Sequence, residues 1–373
     1  MRVAIVHEWL ETYAGSERVL EQLLDVWPEA DLFVVCDFLA DKDRHFLRGK
    51  VPTTSFIQRL PRARQWFRYY LGLMPIAVEQ FDLSAYDLVV SSSHAVAKGV
   101  LTGPATLHVS YVHSPMRYAW DLQHQYLRQA RMETGLKGLL TRWLLARMRA
   151  WDHASAARPD LIAANSAWIA ARIRKTWRRE STVIHPPVDI EGFPFEPAKQ
   201  DYYFVASRMV PYKRIDLVAE AFRAMPDKRL LIAGDGPEMG RVRDAAGDAR
   251  NIEILGRVPQ PELIRLLQGA RAFVFAAEED FGIAMVEAQA CGTPLIVYGR
   301  GGASDIVVPD TTGVLFPEQA AQSIRDAVAR FEGLAIAPES CRANAERFSR
   351  AVFRDRIQAL VAQGLAAQGL AAR

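Results

Sequence analysis

Cysteine is nearly absent: Cys36, Cys291 and Cys341 are the only three in 373 residues. An odd, widely spaced set excludes a disulfide framework and a zinc-binding spacing, and it points to a reducing compartment. Long apolar runs are missing too. Nowhere do about 18 apolar residues follow one another without a charge, so no membrane-spanning helix is predicted. The stretch Met1-Arg-Val-Ala-Ile-Val-His-Glu-Trp9 is too short for a secretory leader, and Glu8 and Glu11 interrupt it. A cytoplasmic location is therefore expected. Charge of one sign is scarce, with a formal net charge of +3, and no nucleic-acid recognition motif is present. Gly234-x-Gly236 lacks its third partner, since the next glycine is Gly240, one residue late, and a nicotinamide site is excluded. Asp41-Lys-Asp43 has the shape of a metal-dependent transferase site, but no strong strand precedes it. The sequence predicts neither a metal nor a cofactor.

What the chain does have is ordinary globular composition: 50% hydrophobic and 24% charged. Its length exceeds one comfortable core, so two domains are expected. Charge is uneven between them. Residues 1–190 hold 24 Lys/Arg against 19 Asp/Glu, and residues 191–373 hold 22 against 24. Short apolar runs at 3–7, 31–35, 88–92, 107–112 and 161–164 read as buried strands. Longer helical segments separate them, the first starting near Glu17. The second half repeats the plan with strands at 202–206, 229–233, 252–255, 272–276 and 295–298, and helices at 215–224, 262–269, 283–290 and 320–331. Such alternation predicts an α/β protein of two doubly wound, Rossmann-like domains. Residues 185–197 contain four prolines, which forbid regular helix and mark the link between them. The boundaries predicted are 1–189, 190–348 and a helical tail at 349–373, packing back toward the first domain. The repeated Gln-Gly-Leu-Ala-Ala near the end reads as a frayed terminus.

Residues 273–298 carry the most information. An apolar strand meets Glu278, Glu279 and Asp280. Gly282 then opens a helix containing Glu287, and Gly292-Thr-Pro294 stops it before the next strand. Free backbone N–H groups at the helix start favour an anion. Carboxylates at two depths can hold hydroxyls. A ligand combining phosphate and sugar fits both.

These features, with Ser207-Arg-Met-Val-Pro-Tyr-Lys213 and Gly234-Asp-Gly-Pro-Glu238, resemble the family 4 retaining glycosyltransferases of GT-B fold. The resemblance implies two Rossmann-like domains facing across a cleft, with the nucleotide-sugar donor on the second and the acceptor on the first. It gives Arg208 and Lys213 the donor's diphosphate, where fixed positive charge stabilises a departing leaving group. Glu279 inherits the donor-sugar hydroxyls and Glu287 the ribose. Asp280, Phe281, Gly282 and Ile283 supply groups near sugar and phosphate, Gly234 and Gly236 form a tight turn by the donor, and Val258 faces the base. Tyr13-Ala-Gly-Ser-Glu17 takes the place of the first Gly-rich loop, with Gly15 its one glycine. Gly301-Gly-Ala-Ser-Asp305 is the family's next motif, with Asp305 where Glu is usual. The segment from Tyr111 to Asp121 resembles bacterial mannosyltransferases of polysaccharide assembly, which implies GDP-mannose as donor and places His113 by the transferred sugar. Tyr118 and Trp120, in that segment, and His94 are candidates for the acceptor side.

The residues alone leave alternatives open. A histidine after a strand is often a satisfied core group, and His7 and His94 read equally well that way. UDP-glucose, UDP-galactose or UDP-N-acetylglucosamine would suit the same fold. A non-enzymatic two-domain sugar-binding protein is a more distant reading. The expected acceptor is a glycan or a polyprenyl-diphosphate-linked sugar. Basic segments with interleaved aromatics, at 58–70, 137–149 and 168–179, are candidates for peripheral contact with the cytoplasmic face of an anionic membrane. They are equally the pattern of plain solvated helix faces.

Overall fold

Residues 88–93 and 107–112 are buried along their whole length. A strand with no wet face belongs inside a parallel sheet covered by helices on both sides. In the computed structural model, which describes residues 1–369, one unit comprises Met1–Pro186 together with the chain from Phe353 onward. Its strands are β1 (Val3–Leu10), β2 (Asp31–Asp37), β3 (Thr53–Thr54), β4 (Leu88–Ser93), β5 (Leu107–Val112), β6 (Leu161–Ala164) and β7 (Thr182–Val183). They pair in the order β3-β2-β1-β4-β5-β6-β7, every neighbour parallel. Ile5 faces one core with Val34, Val90 and Val109, while Ala4 and Val6 face the other with Val35, Val89 and Phe67. The order reverses between β1 and β4, which makes that seam the topological switch point.

The helix Arg350–Ala367 closes the first of these cores. Phe353, Ile357, Leu360 and Val361 pack there, and the Phe353 ring lies 5.5 Å from that of Tyr111. The expectation of a frayed end is corrected at Gly364. It is buried in the helix, and a Cβ there would come within 2.8 Å of Leu107. Residues 370–373, the end of that repeat, lie outside the described residues.

The other unit, Pro187–Val352, holds β8 (Tyr203–Ala206), β9 (Leu230–Ala233), β10 (Ile252–Gly256), β11 (Ala272–Phe275), β12 (Leu295–Tyr298) and β13 (Gly313–Phe316). The order β10-β9-β8-β11-β12-β13 repeats the first sheet's plan, again all parallel. Its switch point lies between β8 and β11. The sequence reading missed β3, β7 and β13, because two to four residues at a sheet edge show no periodicity. A helix at Met239–Ala246, which follows Pro237, was also absent from the sequence reading. The first helix starts earlier than expected, at Gly15. The proline-rich segment 185–197 is no loose tether: Val188, Ile190 and Phe193 are buried in this unit's core.

The basic segment 168–179 is only partly a surface, with Arg174, Lys175 and Arg178 exposed. Its helix, Ala167–Trp177, buries Ile169, Ala170, Arg172, Ile173 and Trp177. Arg172 pairs with Asp121 at 3.0 Å. Trp177 donates its indole N–H to Asp152 at 2.7 Å.

Candidate functional site

In open α/β sheets ligands bind at the carboxyl ends of strands beside the switch point. In the Pro187–Val352 unit the two loops that flank this seam carry the predicted cations and acids. The loop after β8 holds Arg208 and Lys213, and the loop after β11 holds Glu279, Asp280 and Phe281. Lys213 Nζ contacts Glu279 Oε1 directly. The same ammonium lies 5.1 Å from the centre of the Phe275 ring and 5.3 Å from that of Tyr212, a geometry that favours a cation. Arg208 is exposed, and among the described residues it makes no ion pair.

Glycines let these loops approach one another. Gly234 has φ +130°, and a Cβ there would overlap the Ser207 carbonyl oxygen. A Cβ on Gly236 would likewise overlap the Met209 carbonyl oxygen. Met209 N–H donates to the Asp235 carbonyl at 2.8 Å. The turn after β9 is thus the bed on which the Arg208 loop rests. Gly301 and Gly302 do the same for the acidic loop. Gly302 N–H donates to the Glu279 carbonyl at 2.8 Å, and a Cβ on Gly302 would overlap the Phe281 backbone. Phe281 itself is a buried anchor, its ring 5.5 Å from that of Phe348.

Gly282 caps the helix Ile283–Ala290 in a left-handed conformation, φ 106°, with no side-chain cap. The first-turn N–H groups therefore keep their partial positive charge for a ligand. Glu287, on the same helix, is buried. It lines a cavity of about 220 Å³ with Ala206, Val258, Leu263, Leu267 and Phe273. The walls are apolar with a carboxylate among them. That pairing suits a flat base with an attached diol. Ile283 stands at the helix start, and Val258 lines the cavity. Leu263 and Leu267 were not foreseen, since their helix reads only as amphipathic.

The first unit brings a different set to its own switch point. His7 is a buried residue of β1, Ser92 lies in β4, and His113 follows β5. His7 Nδ1 lies 3.1 Å from Ser92 Oγ, which lies 2.9 Å from His113 Nε2. His7 Nε2 faces Glu17 Oε1 at 3.6 Å. Glu17 in turn accepts from Ala14 N–H and Ser16 Oγ, both at 3.0 Å. Burial pushes the Glu17 carboxyl upward, and His7 and local hydrogen bonds outweigh it, leaving the group below its ordinary range. Burial, with His94 and His7 adding to it, holds the His113 imidazole well below its usual range. His94 sits with its ring 6.3 Å from that of His113 and 4.7 Å from that of Trp9. Burial lowers it, while Glu8 pulls the other way.

Glu8, fully buried, accepts backbone N–H bonds from His94, Ala95, Val96 and Ala97 at 2.7–3.0 Å. It shapes the turn that carries His94. Glu8, Glu17 and Ser92 were missed as site residues. The signal available was polarity in strands otherwise apolar: His7, Glu8 and the serines 91–93 are all buried.

Two acceptor candidates turn inward. Trp120 donates its indole N–H to Asp152 at 2.7 Å, within a buried cluster where Lys98 pairs with Asp152 at 2.6 Å. Tyr118 packs against the β4 side of the sheet, and burial, then Glu8 and Asp152, raises its phenol. Gly15 is the exposed first residue of the helix Gly15–Val26. It has no positive φ.

Comparison with known proteins follows this division. Residues 13–191 match the Glycosyltransferase Family 4 model, and residues 189–348 match Glycosyl transferases group 1. A GDP-mannose-dependent monoacylated alpha-(1-6)-phosphatidylinositol monomannoside mannosyltransferase of Corynebacterium glutamicum is 37% identical over 118 residues, 28% of this chain and 31% of that protein. A D-inositol 3-phosphate glycosyltransferase of Mycolicibacterium paratuberculosis is 30% identical over 190 residues, 45% of this chain and 42% of that protein. These matches therefore span less than half the length of either relative. In fold, HepE of Anabaena, solved with UDP and glucose, superposes with a TM-score of 0.67 at 17% identity, over 97% of this chain and 99% of that one. The sucrose-phosphate synthase of Thermosynechococcus elongatus also reaches 0.67 at 17% identity, over 98% and 100%. The two family models run end to end over residues 13–348, each on one parallel sheet, and the chain belongs to the family 4-like glycosyltransferases of GT-B architecture.

Proposed function

We propose that this protein transfers a hexosyl group from a nucleoside diphosphate sugar to a hydroxyl acceptor, with retention at the anomeric carbon. One observation carries the reading: Lys213 and Glu279 meet beside an uncapped helix start, on the same helix that sends Glu287 into the 220 Å³ cavity. The cavity takes base and ribose. The helix start, Lys213 and Arg208 take the diphosphate, and Glu279 takes sugar hydroxyls. In the free protein Glu279 answers the charge of Lys213. A bound diphosphate brings further anionic oxygens to that ammonium and frees the carboxylate to accept from the sugar.

Catalysis then rests on stabilising charge as the diphosphate departs. Transfer occurs on one face of the sugar, and the leaving phosphate oxygen receives the acceptor's proton. GDP-mannose is the proposed donor. The named specificity of the Corynebacterium relative supports it, as does the segment from Tyr111 to Asp121. Donor hydrolysis and transfer are measured with GDP-mannose, UDP-glucose, UDP-galactose and UDP-N-acetylglucosamine. GDP-mannose should be turned over at least tenfold faster than the others. Preference for a uridine donor overturns the base assignment, and turnover of none overturns the enzyme reading. A covalent glycosyl-enzyme trapped on any side chain overturns the same-face mechanism.

A glycan or a polyprenyl-diphosphate-linked sugar is the proposed acceptor. Contact with an anionic membrane rests on two surface segments of the first unit. Trp66, Tyr69, Leu73 and Ile76 are exposed, as are Leu136, Leu139, Leu140 and Trp143. The two segments touch, since a Cβ on Gly72 would lie 3.0 Å from Leu144. Arg62 lies 4.9 Å from the centre of the Trp66 ring and Arg147 lies 5.2 Å from that of Trp143, and Arg59, Arg64 and Lys137 are exposed in the same segments. Apolar side chains rimmed by cations suit an anionic lipid surface. No helix among the described residues is long and apolar enough to cross a membrane. Sedimentation with phosphatidylglycerol vesicles should fall when Leu139 and Trp143 are replaced by serine. Equal binding of the variant, or of neutral phosphatidylcholine, removes this part of the proposal.

A further inference from the structure

The histidine chain of the first unit has a direction, and charge sets it. Glu17 accepts two hydrogen bonds at Oε2 and turns Oε1 toward His7 Nε2. That nitrogen is buried, and no hydrogen-bond partner lies within normal range. If it were unprotonated, a lone pair would face an ionised carboxylate in a dry site. The proton therefore belongs on Nε2. With that one proton on the ring, His7 Nδ1 is an acceptor. Ser92 is the group beside it, at 3.1 Å, and its single hydroxyl proton points there. The Ser92 oxygen is then left to accept, and what it faces at 2.9 Å is His113 Nε2. His113 must carry its proton on that nitrogen. Its other nitrogen, Nδ1, bonds to none of the described residues and is not among the buried unpaired atoms. It remains open to a ligand.

We propose that Glu17 is a positioning residue: acting through His7 and Ser92, it holds His113 as the Nε2–H tautomer and presents Nδ1 as a hydrogen-bond acceptor for a sugar hydroxyl. The opposite direction needs either a bare His7 Nε2 against the carboxylate or a His7 imidazolium that donates from both nitrogens, and either makes His113 Nδ1 a donor. The two directions differ in what His113 reads. An acceptor selects a ligand group that carries a proton, and it discriminates against an ether or deoxy position there. Burial reinforces the choice, because the dry surroundings keep His113 neutral near neutral pH. The consequence for sugar recognition rests on the functional reading above, whereas the tautomer does not.

The test is a long-range proton–nitrogen NMR correlation on the full chain labelled with nitrogen-15 histidine, with His113→Gln to assign the ring. This experiment distinguishes a protonated ring nitrogen from a bare one. In the wild-type protein His113 should appear as a single Nε2–H form. Ser92→Ala should turn it into a mixture of tautomers, Glu17→Gln should do the same from two residues away, and Ser92→Thr should restore the single form. A wild-type Nδ1–H tautomer overturns the proposal, as does a His113 signal unmoved by Ser92→Ala. If the tautomer is as expected but His113→Gln leaves transfer unchanged, the relay stands and the sugar-contact reading falls.

Discussion

The two units share one strand order and put opposite chemistry at the same seam. At the β8/β11 seam the working groups are Lys213, Arg208 and Glu279 on loops, brought close by Gly234, Gly236, Gly301 and Gly302. At the β1/β4 seam His7, Ser92 and His113 form a hydrogen-bonded chain, and Glu17 stands 3.6 Å behind His7. All eight histidines precede residue 187, so the second unit has none. Under the proposed function, the difference follows from what each would hold. A diphosphate is met by full charges and helix N–H groups, which need to be within reach of water when the ligand is away. A hydroxyl is met by neutral groups whose protons are fixed in place, and burial keeps them neutral. One topology serves both because it fixes where loops emerge and leaves their side chains free to differ.

The sharpest way to break this contrast is to remove the buried charge that braces the first unit. Asp152→Ala strands Lys98, 1% exposed, and removes the acceptor of both Trp120 and Trp177. It should cost about 3–5 kcal/mol. Glu253→Ala, which breaks an exposed pair with Arg229 in the second unit, should cost less than about 1 kcal/mol. Urea titrations of the two variants check this. Equal losses would dissolve the distinction between a braced interior and a charged rim.

The next largest effect is on catalysis. Lys213→Ala and Glu279→Ala should each lower transfer by roughly 10²–10³-fold, the scale for a group that meets transition-state charge. Circular dichroism should be unchanged. Near-normal turnover in both variants would remove the site from the β8/β11 seam.

Acid should separate the units. Burial, reinforced by Arg158, pushes the His108 imidazole down to about 3 from an ordinary 6.5. Above 6.5 the ring is neutral whether folded or unfolded. Below it the unfolded chain takes up a proton that the folded unit refuses until pH about 3. Stability therefore falls with falling pH, by about 2 kcal/mol at pH 5 from this group alone. Glu8 and Glu17, both held below the ordinary carboxylate range, add a loss in the same direction at lower pH. Hydrogen exchange followed by mass spectrometry should show residues 1–186 opening at a higher pH than residues 187–352. The reverse order would contradict the burial argument.

The smallest predicted effect sharpens the comparison of glycines. Gly234→Ala places a side chain at φ +130° against the Ser207 carbonyl, and should cost about 1–2 kcal/mol and weaken nucleotide binding. Gly15→Ala, at an exposed helix start without positive φ, should lie within about 0.5 kcal/mol of wild type. Thermal shifts with and without GDP or UDP measure both.

Local pattern made most of this molecule readable. The strand from 107 to 112 and the helix from 283 to 290 were placed to the residue. The acidic loop carrying Glu279 was legible because acids and a glycine stand between an apolar strand and a helix, whereas Arg208 and Lys213 were singled out only by the family resemblance. Two-residue strands at the sheet edges were not legible, for they have too few residues to show a period.

The amino-acid sequence by itself determined the alternation of strand and helix, the two sheets and the residue types at each strand end, because these follow from short-range apolar period and turn chemistry. Only the tertiary structure decided that Lys213 meets Glu279, that Trp177 and Arg172 face inward, and that Glu17 stands behind His7. Those pairings join residues 66 and 10 positions apart in one case each, and 25 and 51 in the others. Side chains so separated along the chain meet only where sheet order and backbone approach bring them together, and no local period encodes that.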